Sequence, residues 1–332
     1  MIHTVEIRTK SSDYQSFLRF KENPNLCRSY PGIEIIPKRE GKGKGQYQYK
    51  LSAKINLCRV IEPDNILGIY KGRNAALILD TINQAFSELG LPAVNFWKLS
   101  RVDFTVDIQT PYISEYLSIL WHGEHKEKPE PVNDGLYIHY SDRGVTVNIY
   151  SKEAEQRARG REETAAQARN LLRIEVQCHD KKLATMFAKH TARPGLDLAS
   201  LLTINQGDAL IDMVHDTVGK ELLYIVGVCD YIRLDNALSK IEAIQGSQER
   251  VLFDLGKILA KINRKNGSIS KARASWCKAT GKAERVFRSR LKLMLVNGIN
   301  PICLPSDSPL DHLESLYQLF LDAFMEECST ET

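Results

Sequence analysis

Apolar and polar residues alternate with a period of two through much of the first half of the chain, in 33-IEII-36, 46-QYQYKLSAKINL-57, 99-LSRVDFTVDI-108, 136-LYIHY-140, 145-VTVNIY-150 and 171-LLRIEVQ-177. That period belongs to β-strands, so these segments predict one sheet, and the opening MIHTVEIRTK alternates in the same way. Helical spacing interrupts them at 74-NAALILDTINQAFSELG-90, which closes on a glycine suited to the left-handed conformation at a helix end. Two polar stretches, 38-KREGKGKG-45 and 122-HGEHKEKPEPVNDG-135, predict exposed loops. Beyond about residue 195 the strands give way to helical patterns such as 198–219 and 308–327. The expected fold class is α+β: a largely antiparallel sheet with helices over 1–195, followed by a mainly helical C-terminal domain over 196–332.

Three of the strands carry a chemically suggestive polar face. Side chains alternate across a strand, so Arg101, Asp103, Thr105 and Asp107 share one face opposite Val102, Phe104, Val106 and Ile108. The same rule groups Arg173 with Glu175 and Gln177, and Tyr150 with Thr146 and Asn148. If these faces align in one sheet, acids, arginines and a tyrosine come within reach of one another. Carboxylates are the ligands that hard Mg²⁺ or Mn²⁺ takes, and arginines suit phosphate, so such a face could cut a phosphodiester. The plainer alternative is that each strand shows its solvent face, as antiparallel sheets commonly do.

A net charge of +4 and a pI near 8.5 do not by themselves call for nucleic acid. The distribution does more. From Arg250 to Lys292 the cations include Lys271, Arg273, Lys278, Lys282, Arg285, Arg288 and Arg290, against only Asp254 and Glu284. Such a segment suits a sequence-independent grip on phosphates. Within it, 272–298 reads as helix, turn at Thr280 and Gly281, then a second helix closed by Gly298, a spacing that suits a helix-turn-helix. The second helix would offer Lys282, Arg285 and Arg288 while Phe287, Leu291 and Met294 pack inward; a merely solvated cationic face is the alternative. Seven scattered cysteines with no Cys-x-x-Cys pair point to a reducing compartment, and no apolar run spans a bilayer. With no signal-peptide layout at the start, the expectation is a cytoplasmic protein without a membrane role.

The motifs RVDFTVD, NIYSKEAE and LLRIEVQ, in that order, resemble the replication-initiation proteins of filamentous phages and the related rolling-circle initiators of small plasmids. The segment 266–305 is similar to the tail of the phage proteins. The resemblance implies a Rep-like nuclease of the HUH-like class whose nucleophile is the tyrosine of a Tyr-x-Lys-x-x-Glu segment, here Tyr150, Lys152 and Glu155. It maps the family's Arg-x-Asp strand onto Arg101 and Asp103 and its Arg-x-Glu strand onto Arg173 and Glu175. Asp107 matches the plasmid branch better than the phage branch and ranks lower as a metal ligand. The wider class holds its metal with a His-x-His pair that this chain lacks. Ligands for Mg²⁺ or Mn²⁺ are therefore expected from Asp103 and Glu175 first, then Glu155, with His139 as a nitrogen ligand.

The resemblance further implies a metal-dependent enzyme that nicks one strand at a replication origin, on single-stranded or supercoiled DNA, and later rejoins the ends. A tyrosine with pKa near ~10 needs a cation or base beside it. Lys152 lies on the Tyr150 face if the chain stays extended and elsewhere if it turns helical. An ester to the 5′ phosphate would conserve bond energy for rejoining, in keeping with the absence of a Gly-x-x-x-x-Gly-Lys-Ser/Thr phosphate loop. Such a reaction implies a bacterial host's helicase and polymerase as partners, and a homodimer is compatible with it. A strand-end tyrosine is in general a packing residue, and Tyr137 and Tyr140 are the nearest competitors. The rival class is a DNA-binding regulator that binds without cutting. A tyrosine recombinase would place arginines and a histidine ahead of a distal tyrosine, a spacing not found here.

Overall fold

The structure, a computed structural model, describes residues 1–9, 14–41, 46–70, 74–124, 130–132, 137–142, 144–190, 197–203 and 208–329, with backbone alone at 130–132, 137–142, 190, 208–210, 221, 224–225 and 327–329. Its strands are β1 (Ile2–Thr9), β2 (Ile33–Gly41), β3 (Tyr47–Asn56), β4 (Trp97–Gln109), β5 (Glu130–Val132), β6 (Tyr137–Asp142), β7 (Val145–Ser151) and β8 (Leu171–His179). They form one sheet in the order β2-β3-β1-β4-β8-β7-β6-β5. Pairing is antiparallel between β2 and β3, β3 and β1, β1 and β4, and β5 and β6. The principal helices are α1 (Tyr14–Glu22), α2 (Ala75–Glu88), α3 (Ile113–Leu120), α4 (Lys152–Ala158), α5 (Glu249–Asn263), α6 (Ile269–Thr280), α7 (Glu284–Val296) and α8 (Leu316–Ser329). The protein is α+β with a helical C-terminal part. No helix among the described residues is long and apolar enough to cross a membrane.

By packing, the chain divides into two compact units: Met1–Thr105 with Arg143–Thr146 and Glu175–Thr217, and Val106–Asp142 with Val147–Ile174 and Val218–Thr332. This division does not follow the linear boundary near residue 195. A shift in composition marks where the chain changes habit, whereas a packing unit gathers spatial neighbours, and β4, β7 and β8 each serve both units.

In the first unit the period-two pattern fixes which side chains are buried. Val5 and Ile7 of β1, Ala53 and Ile55 of β3, and Val102 and Phe104 of β4 are buried, the larger side chains each contributing on the order of 1.5 to 3 kcal/mol through loss of apolar surface. Helix α2 buries Ile78, Ile82, Ala85 and Phe86 at helical spacing and ends ahead of Gly90, whose φ of +63° favours glycine. Between β1 and β4 the register slips: Glu6 faces Arg101 while Ile7 faces Leu99. Ser100 is the extra residue of this bulge, and its hydroxyl donates to the Glu6 carbonyl at 3.0 Å.

In the second unit α6 and α7 pack through Trp276 and Phe287, whose ring centres lie 5.9 Å apart. The segment after α3 is tied to the start of α6. The His122 carbonyl accepts from the Ile269 amide at 2.9 Å, His122 Nδ1 lies 3.1 Å from the Gly267 carbonyl, and Glu124 pairs with Arg273. A Cβ on Gly267 would fall 2.3 Å from the Ile262 carbonyl oxygen, so only glycine fits that approach.

The structure differs from the sequence patterns in three places, the first being Glu130–Val132, which is expected within a loop and forms β5 beside β6. Residues 38–41, expected in a loop, continue β2 opposite Tyr47–Lys50. The helix expected from 308 begins at Leu316, because His312–Leu313 pairs as a short strand with Tyr231–Ile232.

Candidate functional site

Much of the polar face of β4, β7 and β8 is withdrawn from solvent, with Arg101, Asp107, Thr146 and Gln177 half-buried. Asp103 is 2% exposed, Arg173 0%, Glu175 8% and Tyr150 5%. Burying ionised groups is costly unless each is paired, so the partners of these residues decide what they can do.

In the first unit, Arg101 and Asp103 lie two residues apart on one face of β4 and form a bidentate pair, Nε to Oδ1 at 2.6 Å and Nη2 to Oδ2 at 2.5 Å. Glu6, opposite Arg101 across the ladder, is held by Lys38 Nζ at 2.6 Å. Burial pushes the Asp103 carboxyl up to about 6, although Arg101 pulls the other way; Glu175 adds like-charge repulsion. Burial works against the Arg101 cation, yet Asp103, Glu6 and Glu175 outweigh it and hold the guanidinium charged. For Glu6 too, burial opposes the charge and Lys38 prevails, keeping its carboxyl below the usual range. His179, at the end of β8, is held neutral to lower pH by burial and by the neighbouring Arg101.

In the second unit, β7 delivers Tyr150 at its end and the chain then turns helical at once. The Ser151 hydroxyl caps α4 by accepting from the Ala154 amide at 3.2 Å, while Glu153 and Glu155 in the first turn favour its positive end. The turn does not carry Lys152 away from the tyrosine. Its Nζ lies 5.7 Å from the centre of the Tyr150 ring and 3.0 Å from Glu155 Oε2. Glu155 also accepts from Arg159 at 2.6 Å. Burial would raise the Glu155 carboxyl, but Lys152 and Arg159 hold it below the usual range. Arg173 and Asp107 form a second bidentate pair, Nε to Oδ1 and Nη2 to Oδ2 both at 2.6 Å.

The chain matches no family model and no curated protein sequence. Its chemistry therefore has to be judged from the groups themselves.

Asp103 and Glu175 offer buried carboxylate oxygens, the donor type a hard divalent cation takes. Both Asp103 oxygens engage Arg101, so a cation would have to displace or share with that guanidinium. Glu155 and Asp107 are likewise engaged by cationic side chains. His139 pairs through its backbone with Glu130, and its side chain lies outside the described residues, as do those of Tyr137 and Tyr140. Among the described residues, no three His, Cys, Asp or Glu side chains converge as a ready-made metal site.

The basic helices divide into inward and outward cations. Lys282 lies between α6 and α7, donates to Asp254 Oδ2 at 2.7 Å and sits 5.1 Å over the Trp276 ring. Arg290 also approaches Asp254, at 3.6 Å. Both turn inward, unlike the groove-facing Lys282 expected from the sequence. Arg273 is engaged by Glu124 and by Glu284 at 3.3 Å. Lys271, Lys278, Arg285 and Arg288 are exposed; Lys271 donates to the Asn266 carbonyl at 2.7 Å, and Arg288 pairs with Glu284 at 2.9 Å. Phe287 and Met294 are buried and Leu291 half-buried, as helical spacing requires. The outward face of α7 presents Arg285, Arg288, Ser289 and Lys292. Lys292 closes the cationic segment but is not among the groove-facing residues expected of the second helix, although its i+7 spacing from Arg285 places it on that face. Glu6 and His179 carry no signal of their own in the sequence either, and only their cross-strand neighbours give them away.

Proposed function

We propose that the protein is a rolling-circle replication initiator, a metal-dependent Rep/HUH-like nuclease and strand-transferase acting through Tyr150. The observation that carries this reading is the Lys152 ammonium held 5.7 Å from the Tyr150 ring by Glu155. A tyrosine is a poor nucleophile near neutral pH, and a cation within reach of its hydroxyl is what the attack would need, a role Lys152 would fill. The Tyr150 oxygen would lose its proton and bond to phosphorus in line with the scissile bond. The bond to the 3′ oxygen would break, that oxygen taking up a proton, to leave a 5′-phosphotyrosine and a 3′-hydroxyl primer. Reversal of the same exchange rejoins the ends without ATP.

Asp103 and Glu175 would hold Mg²⁺ or Mn²⁺, which when bound supplies charge to offset that gathering on a phosphate oxygen. The exposed cations of α7, with Lys271 and Lys278 of α6, would grip duplex phosphates around the origin. A helicase and a polymerase of a bacterial host would then extend the primer in the cytoplasm. The test is incubation with Mn²⁺ or Mg²⁺ and supercoiled DNA carrying the cognate origin, scoring nicked circles and protein bound to the 5′ end through denaturing electrophoresis. A product lost in Tyr150→Phe supports the reading.

A second reading, a DNA-binding regulator without nuclease activity, is favoured by one observation: Tyr150 is 5% exposed, so DNA reaches it only if the surrounding packing gives way. Tight binding to DNA with no nick in any metal would select it.

A further inference from the structure

The β2–β3 hairpin carries an aromatic surface that the nicking chemistry does not use. Arg39 pairs with Tyr49 and Gly41 with Tyr47, so these four positions share one face. Helix α1 lies against that face. Phe17 is buried, and its ring and that of Tyr14 each centre 4.8 Å from the Tyr49 ring. From this anchored cluster two rings reach outward: Tyr14 is 50% exposed and Tyr47 49%. The Arg39 guanidinium lies 3.5 Å from the centre of the Tyr47 ring. A Cβ at Gly41, opposite Tyr47, would meet nothing within 4 Å among the described residues. Lys38 and Lys50, on the other face, are paired with Glu6 and Glu40.

We propose that this face is a stacking platform for single-stranded DNA, with bases on Tyr47 and Tyr14 and Arg39 on an adjoining phosphate. Rigid rings half exposed beside a guanidinium are what sequence-tolerant binding of unpaired strands needs, since every base has a π-face and every linkage a negative charge. Charge complementarity points the same way: from Arg39 to Lys44 the sequence carries three cations against the single acid Glu40. A duplex hides its base faces and would gain little from exposed rings. The commitment to DNA rather than RNA rests on the proposed function, whereas the platform itself does not.

The experiment is fluorescence anisotropy of a labelled 12-residue oligothymidylate on the full chain, at two salt concentrations. Tyr47→Ala and Tyr14→Ala are each expected to weaken binding about 5-fold to 100-fold, and Tyr47→Phe, which keeps the π-face, to bind like the parent. Arg39→Ala is expected to reduce the slope of log K against log salt by roughly 0.7, one phosphate contact on a single strand. Because Tyr14 and Tyr47 are half exposed, these truncations leave the core intact, and matching circular dichroism melts confirm it. Unchanged affinity in Tyr47→Ala and Tyr14→Ala overturns the platform, and equal loss in Tyr47→Phe overturns stacking as its basis. An oligouridylate bound as tightly and weakened as much overturns the DNA assignment. Covalent capture through Tyr150 is scored separately on the same proteins, so failure of nicking with a Tyr47-dependent affinity leaves the platform standing.

Discussion

Replacing Asp107 with alanine is expected to cost the fold about 3 to 5 kcal/mol, the penalty for breaking a buried ion pair by removing one of its members. The Arg173 side chain is entirely buried, and Asp107 offers it both oxygens at 2.6 Å in the fork geometry that suits a guanidinium. Against a typical total stability of ~5–15 kcal/mol, that loss is a large fraction. The same physics predicts rescue. Removing the charge as well, in Asp107→Ala with Arg173→Met, is expected to recover at least about 2 kcal/mol, because an apolar side chain of similar length has no desolvation penalty to offset. Urea denaturation followed by circular dichroism on the four proteins of the cycle gives the coupling directly. A cost under ~1 kcal/mol for Asp107→Ala, with no recovery in the double variant, would refute the reasoning and leave Asp107 available as a metal ligand.

Asp103 makes the metal-free protein sensitive to pH. Its carboxyl is raised from 3.8 to about 6, so the folded state binds this proton more tightly than the unfolded one. Its contribution to stability is full below about 4 and lost as pH rises through about 6; melts between pH 5 and pH 7.5 should fall more steeply in the parent than in Asp103→Asn, and equal slopes refute it. Lys152→Met is expected to lower the nicking rate about 10²-fold and move the pH profile to higher pH, with Lys152→Arg recovering part of both; an unmoved profile would remove Lys152 from the chemistry. Arg285→Ala and Lys292→Ala are each expected to reduce the salt slope of duplex binding by about 0.9 without changing stability. Lys282→Ala is expected instead to destabilise the helical unit, because Asp254 loses its closest cation at 2.7 Å; chemical denaturation beside a salt titration separates the two behaviours.

The sequence by itself determined the strands and their faces, because a two-residue period is a local property of the backbone. Arg101, Asp103 and Asp107 share a face of β4, as their spacing requires. The helix-turn-helix spacing was equally legible: Gly281, at φ +65°, closes α6, and Phe287 and Met294 turn inward. What no period can reveal is the covering of a face and the partner across the ladder. The polar faces could have met water, and tertiary packing withdrew much of them from it. Once buried, each charge had to find a counter-charge, which joined Arg173 to Asp107, Arg101 to Asp103 and Glu6 to Lys38. The bulge at Ser100 that brings Glu6 opposite Arg101 depends on strand register, and the inward turn of Lys282 depends on Asp254 in another helix. The strand at His312–Leu313 exists because Tyr231–Ile232 lies beside it. Local periodicity sets which side chains stand together; long-range pairing sets what they touch, and so which of them can bind, cut or only hold the fold.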